Sequence, residues 1–152
     1  MAIIQSSKLT DEDWVLAILY ANNQRPIYGK LMLVKTVFLV AKEIETSLER
    51  RLDFFPYDLG PYSKTLAEIV DSLVKDGLIE IQGSGGDFIF SLTQKGREVA
   101  MKASERLPPA TKEALDRKRR AWSQLGYHGI VRLVYTKYPE YTGKSKIAAL
   151  LE

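Results

Sequence analysis

Few side chains in this sequence are suited to acid–base or metal chemistry. The 152 residues contain one histidine, His128, and no cysteine, which is too few for a site built from imidazole and thiolate ligands. A lone histidine acts as a general acid or base only when folding places a carboxylate or a nucleophile beside it. We therefore interpret His128 as a structural or capping residue, and we predict no catalytic residue, no metal site, no cofactor and no enzymatic activity.

The stretch Gly83-Ser84-Gly85-Gly86 has the composition of a phosphate-binding loop. Such loops lead from a strand into a helix and carry a lysine followed by serine or threonine. Here the flanking segments LIEIQ (78–82) and DFIFSL (87–92) both alternate in the manner of strands. The glycine-rich stretch is therefore predicted to be the tip of a β-hairpin.

Four consecutive cations, Arg117, Lys118, Arg119 and Arg120, form the strongest basic cluster. On a helix these side chains point in four directions about 100° apart, so they cannot form one stripe. Two interpretations stay open: a solvated helix face, and an arm that contacts nucleic-acid phosphates. Residues 77–152 carry a net charge of +5 and residues 1–76 a net charge of −2, so affinity for an anionic partner is expected mainly in the C-terminal half.

Two helices are predicted in the first third of the sequence. Thr10 and Asp13 have the spacing of a capping box, and the helix that they start is predicted to end near Asn22 and Asn23. A second helix is predicted from about Gly29, continuing through Ile44 and Leu48. Between Leu31 and Ala41 it is apolar on almost every side, which places it at the centre of the core.

The stretch FFPYDLGPYSKTL (54–66) combines four aromatic rings with two prolines and a glycine. We predict that Phe54, Phe55 and Tyr57 pack this connection onto the core. A ligand or partner pocket among the rings is the alternative. Ser63 is predicted to cap the third helix, which ends at Asp76-Gly77.

After the hairpin, Thr93 is predicted to cap a fourth helix that ends near Leu107. A fifth helix is predicted over residues 111–125 and a sixth over 127–138. Three helices, a hairpin and a further helix give the winged-helix order. The predicted fold is mainly α with a small β-hairpin: a winged helix-turn-helix domain over residues 8–107 and a C-terminal helical extension over 108–152.

Three stretches of the sequence resemble a known group of proteins. KLMLVKTVFLVAKE (30–43), FFPYDLGPYSKTLAEIVDSLVKDGLIE (54–80) and LVYTKYPEYTGKSKI (133–147) resemble the winged-helix proteins grouped as YwgA-like. The resemblance extends more distantly to the Panacea-domain antitoxins. It implies a winged helix, and it implies a transcriptional regulator because most members are described in that way.

The resulting functional hypothesis is a cytoplasmic, DNA-binding transcriptional regulator without enzymatic activity. With the apolar face of the third helix inward, its outward residues include two cations and two anions, Lys64, Lys75, Glu68 and Asp71. This balance favours the alternative, a protein-interaction module such as an antitoxin or adaptor that does not bind DNA. The residues predicted to contact double-stranded DNA are Lys64, Thr65, Ser72, Lys75, Ser84, Gly85, Arg117, Lys118, Arg119 and Arg120.

Two further expectations concern assembly and location. Helices five and six carry many apolar residues beyond the predicted winged-helix domain, so they either fold back on the first helix or bury this surface in a homodimer. We predict the homodimer. The longest apolar run, Leu31 to Ala41, is too short to span a bilayer, so no association with a membrane is expected.

Overall fold

The computed structural model describes residues 9–57, 60–84 and 88–141, which are mainly helical with two small antiparallel sheets. The helices are α1 (Asp11–Gln24), α2 (Lys30–Glu43), α3 (Ser47–Leu52), α4 (Lys64–Lys75), α5 (Gln94–Glu105) and α6 (Pro109–Lys137), with a 3-10 turn at Pro139–Tyr141. The strands are β1 (Ile27–Tyr28), β2 (Phe55–Tyr57), β3 (Gly60–Tyr62), β4 (Ile79–Gln82) and β5 (Ile89–Leu92). None of the helices within these ranges combines the length and the apolar character needed to cross a membrane.

Both ends of α1 follow from local side-chain chemistry. The Asp13 N–H donates to the Thr10 hydroxyl at 3.1 Å, and the Asp13 carboxylate accepts from the Thr10 N–H at 3.3 Å. This is the predicted capping box. Regular helix stops before Ala21, and Asn22 and Asn23 both have φ of 57°, a left-handed conformation that asparagine tolerates better than most residues.

Helix α2 is the centre of the core, as predicted. All nine residues from Leu33 to Ala41 are buried, including Lys35 and Thr36. Helices α3 and α6 and strands β1 and β3 pack against it, and its buried residues share one core with those of α1. Because α2 is covered on every side, its apolar residues do not show the single stripe of a surface helix.

The predicted continuation of α2 through Leu48 is wrong. The N–H groups of Ile44 and Glu45 both donate to the carbonyl of Val40, and the Ser47 hydroxyl donates to the Glu45 carboxylate. Side-chain hydrogen bonds of this kind compete with helix continuation. The chain therefore starts a separate short helix, α3, which buries Leu48 and Leu52.

Strands β2 and β3 form a two-stranded ribbon in the aromatic-rich connection. Phe54 is buried and meets the Phe38 ring edge-on with centroids 5.2 Å apart. Phe55, however, is only half-buried and Tyr57 is 52% exposed. The prediction that three rings pack the connection onto the core therefore holds for Phe54 alone, since Phe55 and Tyr57 instead contact the Tyr62 ring within the ribbon.

The second sheet has three strands in the order β1-β5-β4, all antiparallel. The predicted hairpin forms its larger part, with Ile79 opposite Leu92 and Gln82 opposite Ile89. Strand β1 adds Ile27 opposite Phe90 on the other side of β5. A two-stranded hairpin is marginal in water, and β1 joins it directly to the segment between α1 and α2.

Helix α6 is two helices that meet at Gly126, where φ is 71° and ψ is −175°. Lys118 and Lys137 donate to opposite oxygens of the Glu43 carboxylate at 3.0 and 2.9 Å. In a straight helix these lysines would be about 28 Å apart along the axis, so the chain must reverse direction between them. The predicted separation into a fifth and a sixth helix at this glycine is confirmed.

The two halves of α6 fold back onto α1 and α2. Their buried apolar residues belong to the same core as those of α1 and α2; they are Leu115, Trp122, Ile130, Val131 and Val134. Most of the apolar surface that motivated a homodimer is therefore covered within one chain. The homodimer stays a prediction, which light scattering on the full chain tests.

Candidate nucleic-acid interface

Helix α4 is fixed at its start by Ser63. The Ser63 hydroxyl, which is fully buried, accepts a hydrogen bond from the Leu66 N–H at 2.9 Å and donates to the carbonyl of Leu52 at the end of α3. At the other end, the Leu78 N–H donates to the Leu73 carbonyl at 2.9 Å and Gly77 has φ of 76°. This is the arrangement of a Schellman motif, and it turns the chain directly into β4.

The inward face of α4 buries the four residues expected from the pattern, Leu66, Ile69, Val70 and Leu73. The outward face exposes Lys64, Glu68, Asp71, Ser72 and Lys75, while Thr65 is half-buried. Within the described chain, neither Lys64 nor Lys75 has an ion-pair partner. Both ammonium groups are consequently available to an external phosphate, although the two carboxylates make the face neutral overall.

The β4–β5 hairpin lies beside α4. Gln82, Gly83 and Ser84 are exposed at its end, whereas the predicted contact residue Gly85 lies outside the described residues. A cleft of about 190 Å³ separates the hairpin from α4, with Ala67 and Asp71 on one wall and Ile81 and Phe88 on the other. The predicted contacts on α4 and Ser84 therefore belong to neighbouring elements of one surface.

Lys30 is a further cation on this surface that the sequence analysis did not single out. It is the exposed first residue of α2 and lines the cleft. Its Nζ lies 5.6 Å from the centre of the Tyr62 ring, a distance at which a cation is attracted to an aromatic face. Its place just after Gly29, at the polar start of an otherwise apolar helix, is the sequence signal that identifies it.

The four cations of the basic cluster have different environments. Arg117 pairs with Glu113 at 3.3 Å, and Arg120 pairs with Asp116 one helical turn away. Both pairs are largely exposed, and such pairs contribute only about 0.3–0.5 kcal/mol. Lys118 is half-buried and bound to Glu43. Arg117 and Arg120 thus remain accessible to an anion, and Lys118 much less so.

Arg119 must be removed from the predicted DNA contacts. Its side chain is 2% exposed, and its guanidinium donates to the carbonyls of Leu19, Ala21 and Arg25. These carbonyls lie where α1 stops being helical, so they lack helical partners. Burial lowers the pKa of Arg119 to about 10, which leaves the group charged at neutral pH. Its role is to cap the end of α1.

The basic cluster and α4 occupy different parts of the molecule. Lys118 binds Glu43 at the C-terminal end of α2, whereas Lys30 and the cleft lie at the N-terminal end. A helix of this length separates its two ends by about 20 Å. The residues predicted from the sequence therefore form one surface around α4 and the hairpin, and a second, separate group on α6.

Glu43 is the electrostatic centre of the α2–α6 contact. Burial raises its pKa, but hydrogen bonds from Lys137, Lys118 and Tyr138 outweigh that effect and hold the pKa below its usual value. Nearby, Lys42 pairs with Glu49 at 2.8 Å and lies within 6 Å of the rings of Phe38, Tyr138 and Tyr141. These contacts fix the end of α6 and serve the fold.

The amine of Lys35 and the imidazole of His128 are two further groups that could take part in acid–base chemistry, and the contacts of both are structural. Lys35 is 1% exposed, and burial lowers its pKa to about 8. A β-carbon on Gly60 would lie 3.0 Å from its Nζ, so the glycine makes room for this amine under β3. His128 is exposed on α6, where it contacts the Tyr127 ring edge-on. Among the described residues, no cluster of three or more histidine and carboxylate side chains could hold a metal ion.

No protein-family model matches the chain, and no curated protein matches it in sequence.

Proposed function

We propose that the chain is a cytoplasmic winged-helix protein that binds double-stranded DNA and regulates transcription, with α4 as its recognition helix. The observation that carries the proposal is the sheet order β1-β5-β4, combined with an outward-facing helix immediately before the hairpin. In a winged helix, the strand between the first two helices completes the sheet of the wing, and the helix before the wing enters the major groove. The resemblance of residues 30–43 and 54–80 to YwgA-like proteins supports the same assignment.

In the proposed complex, Lys64 and Lys75 contact phosphates from the two ends of α4, about 16 Å apart along the helix axis. Thr65 and Ser72 donate or accept hydrogen bonds between them. Ser84 approaches the backbone from the hairpin. Glu68 and Asp71 reduce the attraction to phosphate, although a carboxylate can accept a hydrogen bond from the amino group of cytosine.

Lys30 extends this surface toward α2. Its exposed ammonium has no carboxylate partner in the described part of the chain, and it lines the cleft between α4 and the hairpin. With Lys30, the surface has three cations and two anions. Arg117 and Arg120 provide a separate, weaker contribution on α6, because each already pairs with a carboxylate of its own helix.

The test is fluorescence anisotropy with a labelled random duplex at several salt concentrations. We expect saturable binding that weakens with salt, because phosphate contacts release counterions. The double variant Lys64→Ala/Lys75→Ala should bind less tightly, and its plot of log affinity against log salt should be shallower by about two. The matched control is Lys102→Ala/Lys112→Ala, which removes two exposed cations of α5 and α6 and should retain both affinity and slope.

The second candidate function is a protein-interaction module that uses the same scaffold without DNA. The neutral outward face of α4 favours it. Absence of duplex binding at micromolar protein in low salt would reject the DNA proposal in favour of this one. Equal losses in the two double variants would instead mean that binding follows net charge alone and that α4 is not the recognition helix.

A further inference from the structure

The turn of α6 at Gly126 creates a concave apolar surface far from the Glu43 end of α2. Tyr127 projects from the turn and meets the start of α2 and the β1–β5 edge of the sheet. The resulting groove has a volume of about 500 Å³. Its apolar lining consists of Tyr28, Leu31, Met32, Phe88, Ile89 and Tyr127. The volume lies within the range of about 300–1,000 Å³ that is typical of ligand-binding clefts.

Two large exposed apolar side chains line the groove, and a third adjoins it. Five large apolar residues of the described chain are exposed. Two of them, Tyr28 at 66% and Tyr127 at 45%, line the groove, and Leu125 at 44% lies at the adjoining turn. A second cavity of about 210 Å³ shares Tyr28, Met32 and Tyr127 with the groove and extends it toward Thr36. Exposed aromatic rings grouped at a concave surface are typical of an interaction site.

The charge around the groove identifies the kind of partner. None of the residues that line the groove or the adjoining region toward Thr36 carries a carboxylate. The stretches of chain that contribute this lining also contain Arg25, Lys30 and Arg132 close by in sequence, which are exposed and form no ion pair within the described chain. An anionic partner is therefore favoured. A symmetric contact with a second copy would place these same cations against each other, because a two-fold interface pairs identical surfaces.

The geometry points to a docking site for an acidic segment of another protein, which inserts bulky apolar side chains between Tyr28 and Tyr127 while its carboxylates meet the surrounding cations. Tyrosine is well suited to this role because it offers a large apolar ring with little loss of conformational entropy. This surface differs from the outward face of α4.

The test uses fluorescein-labelled synthetic peptides in which glutamate alternates with leucine and phenylalanine. We expect the acidic peptide to bind the full chain with saturation. One control peptide replaces glutamate by lysine, and another replaces leucine and phenylalanine by serine. Both controls should bind at least about tenfold more weakly, because one loses the charge complementarity and the other loses the apolar anchors.

Two pairs of matched variants locate the site on the protein. Tyr28→Ala/Tyr127→Ala should weaken binding of the acidic peptide at least about tenfold. Tyr57→Ala/Met101→Ala removes two exposed apolar residues elsewhere and should leave it unchanged. Arg25→Glu/Arg132→Glu should weaken binding, whereas Lys102→Glu/Lys112→Glu should do so much less. Circular dichroism establishes that each variant is folded before its affinity is compared.

Three results would overturn the inference. The first is no saturable binding of the acidic peptide, or equal binding of the serine peptide. The second is a loss of duplex DNA binding in Tyr28→Ala/Tyr127→Ala together with competition between duplex and peptide, which would make nucleic acid the occupant. The third is a dimer in sedimentation that Tyr28→Ala/Tyr127→Ala dissociates, which would make a second copy the occupant.

Discussion

The Nη1 atom of Arg119 lies 3.2 Å from the carbonyl oxygen of Leu19, and the same guanidinium also binds the carbonyls of Ala21 and Arg25. One side chain of α6 thus completes the hydrogen bonding at the end of α1, where the backbone leaves the helical conformation. The contact joins the N-terminal and C-terminal parts of the described chain through buried polar atoms.

Arg119→Ala should reduce the free energy of unfolding by about 3 kcal/mol or more, because it leaves several buried carbonyls without a donor. Urea denaturation followed by circular dichroism measures the change. The neighbouring variant Arg117→Ala removes an exposed cation from the same helix and should change stability by about 0.5 kcal/mol or less. Equal midpoints for the two variants would contradict the role assigned to Arg119.

Lys35 should make stability depend on pH in the alkaline range. Burial lowers its pKa to about 8 from the ordinary 10.5, so between these values the unfolded chain binds more protons than the folded one. Stability must then rise with pH across this window, by about 3 kcal/mol in total. Urea titrations at pH 7 to 10 measure the rise, and Lys35→Met should abolish it.

Two tyrosines should end this rise in stability above about pH 10. The pKa of Tyr138 and that of Tyr141 are both raised to about 12, mainly by burial. A hydrogen bond from Tyr138 to Glu43 and one from Tyr141 to Glu49 add to this effect. Above pH 10 the unfolded chain loses these protons first, so stability should fall again. Lys35→Met should retain this fall. A variant profile that matches the wild type throughout would show that Lys35 is not the titrating group.

Glu43→Gln should destabilise the chain by about 2 kcal/mol, because it removes the charge that two lysines and a tyrosine share. The pKa of Glu43 is held below its usual value, so its contribution is present at neutral pH and is lost as the pH falls through the folded-state pKa. The difference between Glu43→Gln and wild type should therefore shrink in acid. Glu105→Gln, at an exposed position on α5, is the control and should differ little from wild type at either pH.

Gly126→Ala tests the reversal of α6. A β-carbon there would meet no atom within 4 Å, so any cost must come from the backbone conformation, which only glycine adopts readily at φ of 71° and ψ of −175°. We expect a loss of about 2–3 kcal/mol, measured by thermal or urea unfolding. Gly77→Ala, with φ of 76° and equally open space, should cost about 1 kcal/mol. Wild-type stability in Gly126→Ala would be inconsistent with this explanation.

Local chemistry was sufficient to predict the elements that begin with a side-chain cap. Thr10, Ser63 and Thr93 each accept a hydrogen bond from a backbone N–H in the first turn of the helix that follows. The glycine at position 126 likewise separates two helices at the predicted place. In each case the residues that determine where the helix begins or ends lie within a few positions of one another, so the local sequence is enough to predict the element.

The features that the sequence analysis missed depend on distant partners. Strand β1 has two residues and exists because β5, some sixty positions later, pairs with it. Arg119 was not distinguished from its three basic neighbours, although it follows Leu115 by four positions and precedes Trp122 by three. That spacing places it on the buried face of α6, and it is the signal that could have identified it. The carbonyls that it binds belong to the end of α1 and to Arg25 just after it, and the sequence near residue 119 does not indicate them.

The link between Arg119 and Leu19 spans 100 positions, and this has a consequence for synthesis on the ribosome. Leu19 leaves the ribosome 100 residues before Arg119, so the carbonyls at the end of α1 lack their guanidinium donor until α6 has also left the exit tunnel. Until then the nascent chain exposes an unfinished core to solvent and to chaperones. Helix α1 is therefore completed only after the chain through α6 has emerged, and its native packing must wait for that segment.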